Sequence, residues 1–106
     1  MSLTAHGTIM HVDQRFTALF IIDAETRVRY TGQFFGPTTD FVSEHAVMTY
    51  TTLDHVFSSS QMTCAFGTHE IQLRSEAGRV VINGSVLWPL PDIPTRALVG
   101  EWKVST

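Results

Sequence analysis

Five histidines, one cysteine and ten carboxylates in 106 residues are the raw material for a metal site or for acid–base chemistry. Spacing decides whether they can act together. Protein metal sites draw ligands at short, fixed intervals such as Cys-x-x-Cys, or two His one helical turn apart. The chain has neither pattern. His6 and His11 lie at an odd interval, which on one strand sends them to opposite faces. His45 and His55 are separated by a strand end, and His69 begins another strand. A metal site would have to be assembled from distant strands, for example from His45, His69 and Glu70. The expectation is surface histidines, no metal and no cofactor.

Cys64, in Met62-Thr63-Cys64-Ala65-Phe66, shares its register with Met62 and Phe66 and reads as an interior position. A lone thiol closes no intrachain disulfide, and a buried free cysteine is ordinarily inert. Ser58-Ser59-Ser60 is a polar loop without the glycines of a nucleophile elbow. No catalytic residue is therefore assigned. An enzyme on this chain would be a barrel with a buried ionisable group, and Glu44, His45 and Arg29 would be its participants.

The elements that must position these groups are strands. From Arg27 to Phe34, Arg27, Arg29, Thr31 and Gln33 alternate with Val28, Tyr30, Gly32 and Phe34, the period-two pattern of a half-buried strand. Arg15 to Ile22 puts Phe16, Ala18, Phe20 and Ile22 on one face; the other face turns apolar at Leu19 and Ile21, which predicts cover on both sides there. Asp23-Ala24-Glu25-Thr26 joins the two as a hairpin. A second hairpin spans His69 to Trp88 around Ser75-Glu76-Ala77-Gly78, with Val80, Ile82, Gly84, Val86 and Trp88 in one register. Further strands are expected at Thr4–Val12, Glu44–Thr51, Gln61–Phe66 and Ala97–Val104. Pro89, Pro91 and Pro94 keep the last connection extended. Thr51-Thr52-Leu53-Asp54 resembles a capping box, so one or two helical turns are expected around residues 52–60.

About eight short strands over residues 1–106 make a single all-β domain. A small antiparallel β-barrel is favoured over a two-sheet β-sandwich by the mid-strand glycines Gly32, Gly84 and Gly100, which allow sharp bends, and because closure removes exposed edges.

Composition excludes several functions. A net charge of −3 provides no cationic footprint for nucleic acid. The longest uncharged apolar run, Ala18 to Ile22, is far short of a membrane-spanning helix. The first residues show no basic and apolar leader pattern, so a cytoplasmic location is expected. The leading expectation is a binding module for a small, largely apolar ligand or a glycan, with Tyr30, Tyr50, Trp88 and Trp102 lining its cavity. The first alternative is a protein that self-associates through Leu19–Ile22 or the proline loop, a homo-oligomer with a solid barrel. The second is a pocket-barrel enzyme of isomerase, cyclase or hydrolase type.

Overall fold

Alternation along the chain becomes alternation across a barrel wall. In the computed structural model, which describes residues 2–105, the strands are β1 (Leu3–Val12), β2 (Arg15–Ile21), β3 (Arg27–Phe34), β4 (Phe41–Tyr50), β5 (Gln61–Phe66), β6 (Glu70–Ser75), β7 (Val81–Ser85) and β8 (Arg96–Ser105). One short helix, α1 (Leu53–Phe57), links β4 to β5. Every pairing is antiparallel, and the sheet closes in the order β1-β2-β3-β8-β5-β6-β7-β4. The fold is a closed eight-stranded antiparallel barrel, not a sandwich.

The ring contains the same path twice. β1, β2 and β3 are hairpin-linked and β4 returns beside β1; β5, β6 and β7 are hairpin-linked and β8 returns beside β5. Each set is a Greek key, although the sequence shows no repeat. The keys join through β3–β8 and β4–β7.

Expected and observed strands differ in three places. β4 begins at Phe41 rather than near Glu44, because it carries an extra residue that breaks the alternation. Gly7 pairs with Ala46 but Ile9 with Ser43, which makes a β-bulge at Glu44–His45, both exposed. β7 stops at Ser85, short of Trp88, although Val86 and Leu87 still donate to the His69 and Val42 carbonyls at 3.0 Å each. The face of β2 holding Leu19 and Ile21 is not covered: it lies on the outside of the barrel, with Ile21 52% exposed.

The lumen is filled. Ile9, Phe16, Phe20, Tyr30, Met48 and Leu73 are all fully buried. Phe16 meets Tyr30, Phe34 and Phe41 edge-on at 5.8, 5.6 and 6.4 Å between ring centroids, within the range of favourable aromatic pairs.

Crossover segments close both ends. At one end α1 starts on Thr52, whose hydroxyl accepts from the His55 amide at 3.3 Å, one residue later than the sequence pattern suggests. Val56 points inward, and the segment after the helix supplies two carbonyls: Ser60 accepts from the Tyr30 hydroxyl at 2.8 Å and Ser59 from the Trp102 indole at 3.0 Å. At the other end, residues 35–40 receive a ring nitrogen of His11, at 2.9 Å from the Thr39 carbonyl, and the Arg96 guanidinium, at 3.2 Å from the Pro37 carbonyl. The 86–95 segment is pinned by Leu90 N–H to the Thr68 carbonyl at 2.9 Å.

Gly32 and Gly100 face each other where β3 meets β8. A Cβ on Gly100 would stand 2.2 Å from the Thr31 carbonyl oxygen, and one on Gly32 2.6 Å from that of Val99. The obstacles are backbone, which cannot swing aside. Gly100→Ala is therefore expected to lower stability by about 3 kcal/mol, read as a fall in the urea midpoint.

Candidate functional site

The four aromatics expected to line a cavity are divided by the structure. Tyr30 and Trp102 meet at 5.1 Å between ring centroids, and both spend their polar groups on the 59–60 carbonyls. Tyr50 is buried at the end of β4. Trp88 lies in the β7–β8 connection at the opposite end of the barrel and is 43% exposed. Phe34 and Phe35 part as consecutive strand residues must: Phe34 is buried and Phe35 exposed.

The histidines also depart from a uniform surface placement. His6 is exposed, but His11 is fully buried, stacked on Phe41 at 5.5 Å and edge-on to Phe34 at 5.0 Å. Because the Thr39 carbonyl can only accept, His11 Nδ1 carries the proton; its Nε2 has no partner among the described residues. Ser85 of β7 lies between His45 on β4 and Glu70 on β6. Among the described residues no three His, Cys, Asp or Glu side chains converge as metal ligands. Arg29, on β3, is separated from Glu44 and His45, on β4, by β1 and β2.

Burial pushes the Cys64 thiol from the usual 9.0 up to about 12, so the nucleophilic thiolate is withheld at neutral pH. Burial also raises the Tyr30 phenol.

Chemistry-bearing groups do gather on the outside of the first Greek key. A groove of about 420 Å³ crosses β1, β2 and β3 to the end of β8 and is lined by Thr8, Met10, Thr17, Leu19, Arg27, Arg29 and Ser105. A neighbouring groove of about 460 Å³ runs from the β1–β2 turn, Asp13 to Arg15, over Thr31–Gln33 to Val99–Gly100. The wall is ordered in rows. Leu19 pairs with Arg29, which pairs with Lys103; Ile21 pairs with Arg27, which pairs with Ser105. Four of the seven basic residues, Arg15, Arg27, Arg29 and Lys103, are exposed on β2, β3 and β8. Among the described residues the only ion pair is Lys103–Glu101, at 3.4 Å.

The alternation of β3 shows that Arg27 and Arg29 face away from Tyr30, and the β2–β3 hairpin register is enough to set Leu19 beside Arg29. Lys103 could not be placed from sequence, because its neighbour is fixed by the long-range β3–β8 pairing.

No protein-family model matches the chain, and no curated protein matches its sequence. The fold is similar to that of the virulence-associated protein VapB from the intracellular pathogen Rhodococcus equi, with a TM-score of 0.52 and 11% identity over 97% of this chain and 96% of that one. That likeness is one of fold. No helix among the described residues is long and apolar enough to cross a membrane.

The buried thiol sets an alkaline limit. Below about pH 9 folded and unfolded chains both keep the Cys64 proton; above it the unfolded chain releases it and the folded one holds it up to about 12. Stability therefore falls as pH rises through this window, by about 1.4 kcal/mol per pH unit for one proton. Tyr30 adds to the fall above its ordinary value of 10.0. Urea midpoints from pH 8 to about 10 should decline, and Cys64→Ala should flatten that decline. A thiol-alkylating reagent should modify Cys64 only after unfolding.

Proposed function

We propose that the protein is a binding module that takes a small ligand on the outer face of β1, β2 and β3. The observation that carries the reading is the groove in which Arg27 and Arg29 share the lining with Leu19 and Met10, on a chain of net charge −3. Filling of the lumen by Phe16, Phe20 and Tyr30 supports an external site over an internal one. The groove supplies guanidiniums, hydroxyls and aliphatic surface, a set suited to holding a ligand. It has no aromatic face on which a sugar ring would stack, which favours a ligand with an apolar body over a glycan. We place this activity in the cytoplasm, where a lone cysteine stays reduced.

A second reading is favoured by Met10, Val12 and Ile21, which are 51%, 38% and 52% exposed on β1 and β2. In that reading a second copy of the chain covers the same face.

Two measurements separate these readings. In amide NMR spectra, a screen of small apolar and amphiphilic compounds should shift Thr8, Met10, Thr17, Leu19, Arg27 and Arg29, and leave the Trp102 indole unmoved. Shifts centred on Tyr30 and Trp102, or on Trp88, would overturn the external site. Sedimentation velocity should show a monomer; a dimer that Ile21→Lys returns to monomer would establish the second reading instead.

A further inference from the structure

The geometry points to a specific class of ligand for this groove: a single-chain amphiphile with one anionic head, a carboxylate or phosphate monoester, held as a monomer with its head at Arg27 and Arg29 and its tail across β2 toward Met10. The inference rests on the proposed external site and adds its chemistry.

The head position follows from charge placement. Arg27 and Arg29 project from the same face of β3, two residues and about 7 Å apart along the strand, and both line the groove. Directly across the ladder from Arg29 is Lys103. Like charges directly opposite in an antiparallel pair repel. Glu101 answers Lys103 at 3.4 Å, but no carboxylate among the described residues pairs with either arginine. Arg27, Arg29 and Lys103 place three cations side by side on a protein that is negative overall, with Glu101 beside Lys103 and the exposed Asp23 and Glu25 in the turn that leads into Arg27. Such a site concentrates anions. Guanidinium groups suit carboxylate and phosphate in particular, since their planar N–H forks match the spacing of two oxygens.

The tail position follows from the other side of the same rows. Moving from β3 toward β1, Arg29 gives way to Leu19 and then Thr8, and Arg27 gives way to Ile21 and then His6. Met10, which pairs with Thr17, also lines the groove from β1. Two strand spacings, about 10 Å, separate the cations from β1. This span is lined by Leu19, Met10, Thr8 and Thr17. A small polar anion would leave Leu19 and Met10 wet, and an uncharged alkyl chain would leave the arginines unanswered. A ligand with both parts satisfies the whole groove, and burial of its tail would contribute in proportion to the apolar area covered.

Isothermal titration with decanoate, decyl phosphate, 1-decanol and acetate tests the assignment, all below the concentrations at which they aggregate. Decanoate and decyl phosphate should bind once per chain, about tenfold or more tighter than 1-decanol or acetate. Arg27→Gln and Arg29→Gln should each weaken decanoate several-fold, and the double variant should bind decanoate no better than 1-decanol. Added salt should weaken decanoate and leave 1-decanol unchanged. Arg74→Gln, on β6 and outside the groove, should behave as the parent. Equal binding of decanoate and 1-decanol overturns the inference, as does an Arg74→Gln loss equal to that of Arg29→Gln. So does binding to phosphatidylglycerol vesicles with none to monomeric decanoate. If decanoate fails while another compound still shifts Leu19 and Arg29 in the amide spectrum, the external site stands and only its ligand class falls. If no compound shifts that face, both fall.

Discussion

Where Gly32 faces Gly100, two strands of different Greek keys approach so closely that neither tolerates a β-carbon. Much of the molecule hangs on that contact. It fixes the β3–β8 register, and the register packs Tyr30 against Trp102 inside the wall and sets Arg29 beside Lys103 outside it. Inside, this aromatic pair presents its hydroxyl and indole N–H to the carbonyls of Ser60 and Ser59, which seats the segment after α1 across the barrel end. Outside, the same pairing assembles a cationic strip from residues more than seventy positions apart in sequence. One backbone contact therefore governs the core, one closure of the barrel and the charge pattern of its surface.

Local features were legible in the sequence, and features set by remote pairing were not. The β2–β3 hairpin, the alternation of Arg27 to Phe34 and the interior place of Cys64 all depend on neighbours a few residues away. The helix near Thr52 announced itself through a hydroxyl that could cap it. Alternation continues in the sequence past Ser85, where β7 ends; Val86 and Leu87 still donate to the His69 and Val42 carbonyls, and Trp88 lies beyond them, next to Pro89. The odd interval between His6 and His11 sets one of them inward, and His11, in register with Ala5 and Ile9, is the one. The bulge at Glu44–His45 hid the start of β4, since one inserted residue inverts the apparent inside and outside of everything before it.

The interior and exterior of the barrel have different tasks. A lumen packed with Phe16, Phe20, Tyr30 and Met48 makes the wall rigid, because close-packed interiors yield little to side-chain rearrangement. A rigid wall is a good platform for outward side chains, whose spacing is then set by strand geometry rather than by loop conformation. Arg27, Arg29 and Leu19 keep fixed separations for that reason. The segments that do vary in backbone form, 35–40, 51–60 and 86–95, lie at the ends and act as closures.

The doubled Greek key also bears on how the chain is made. β3 is complete by Phe34, but its second partner is β8, the last strand of the chain. During synthesis from the N-terminus the first key can form early, yet β3 and β4 must wait as open edges until β8 and β7 emerge. From the completion of β4 at Tyr50 until β7 forms at Val81–Ser85, a nascent chain thus presents two unpaired ladders, each a template for pairing with a neighbouring chain. Arginines at alternate positions of β3 place charge along one of those ladders during the interval, and charge is what discourages edge-to-edge association.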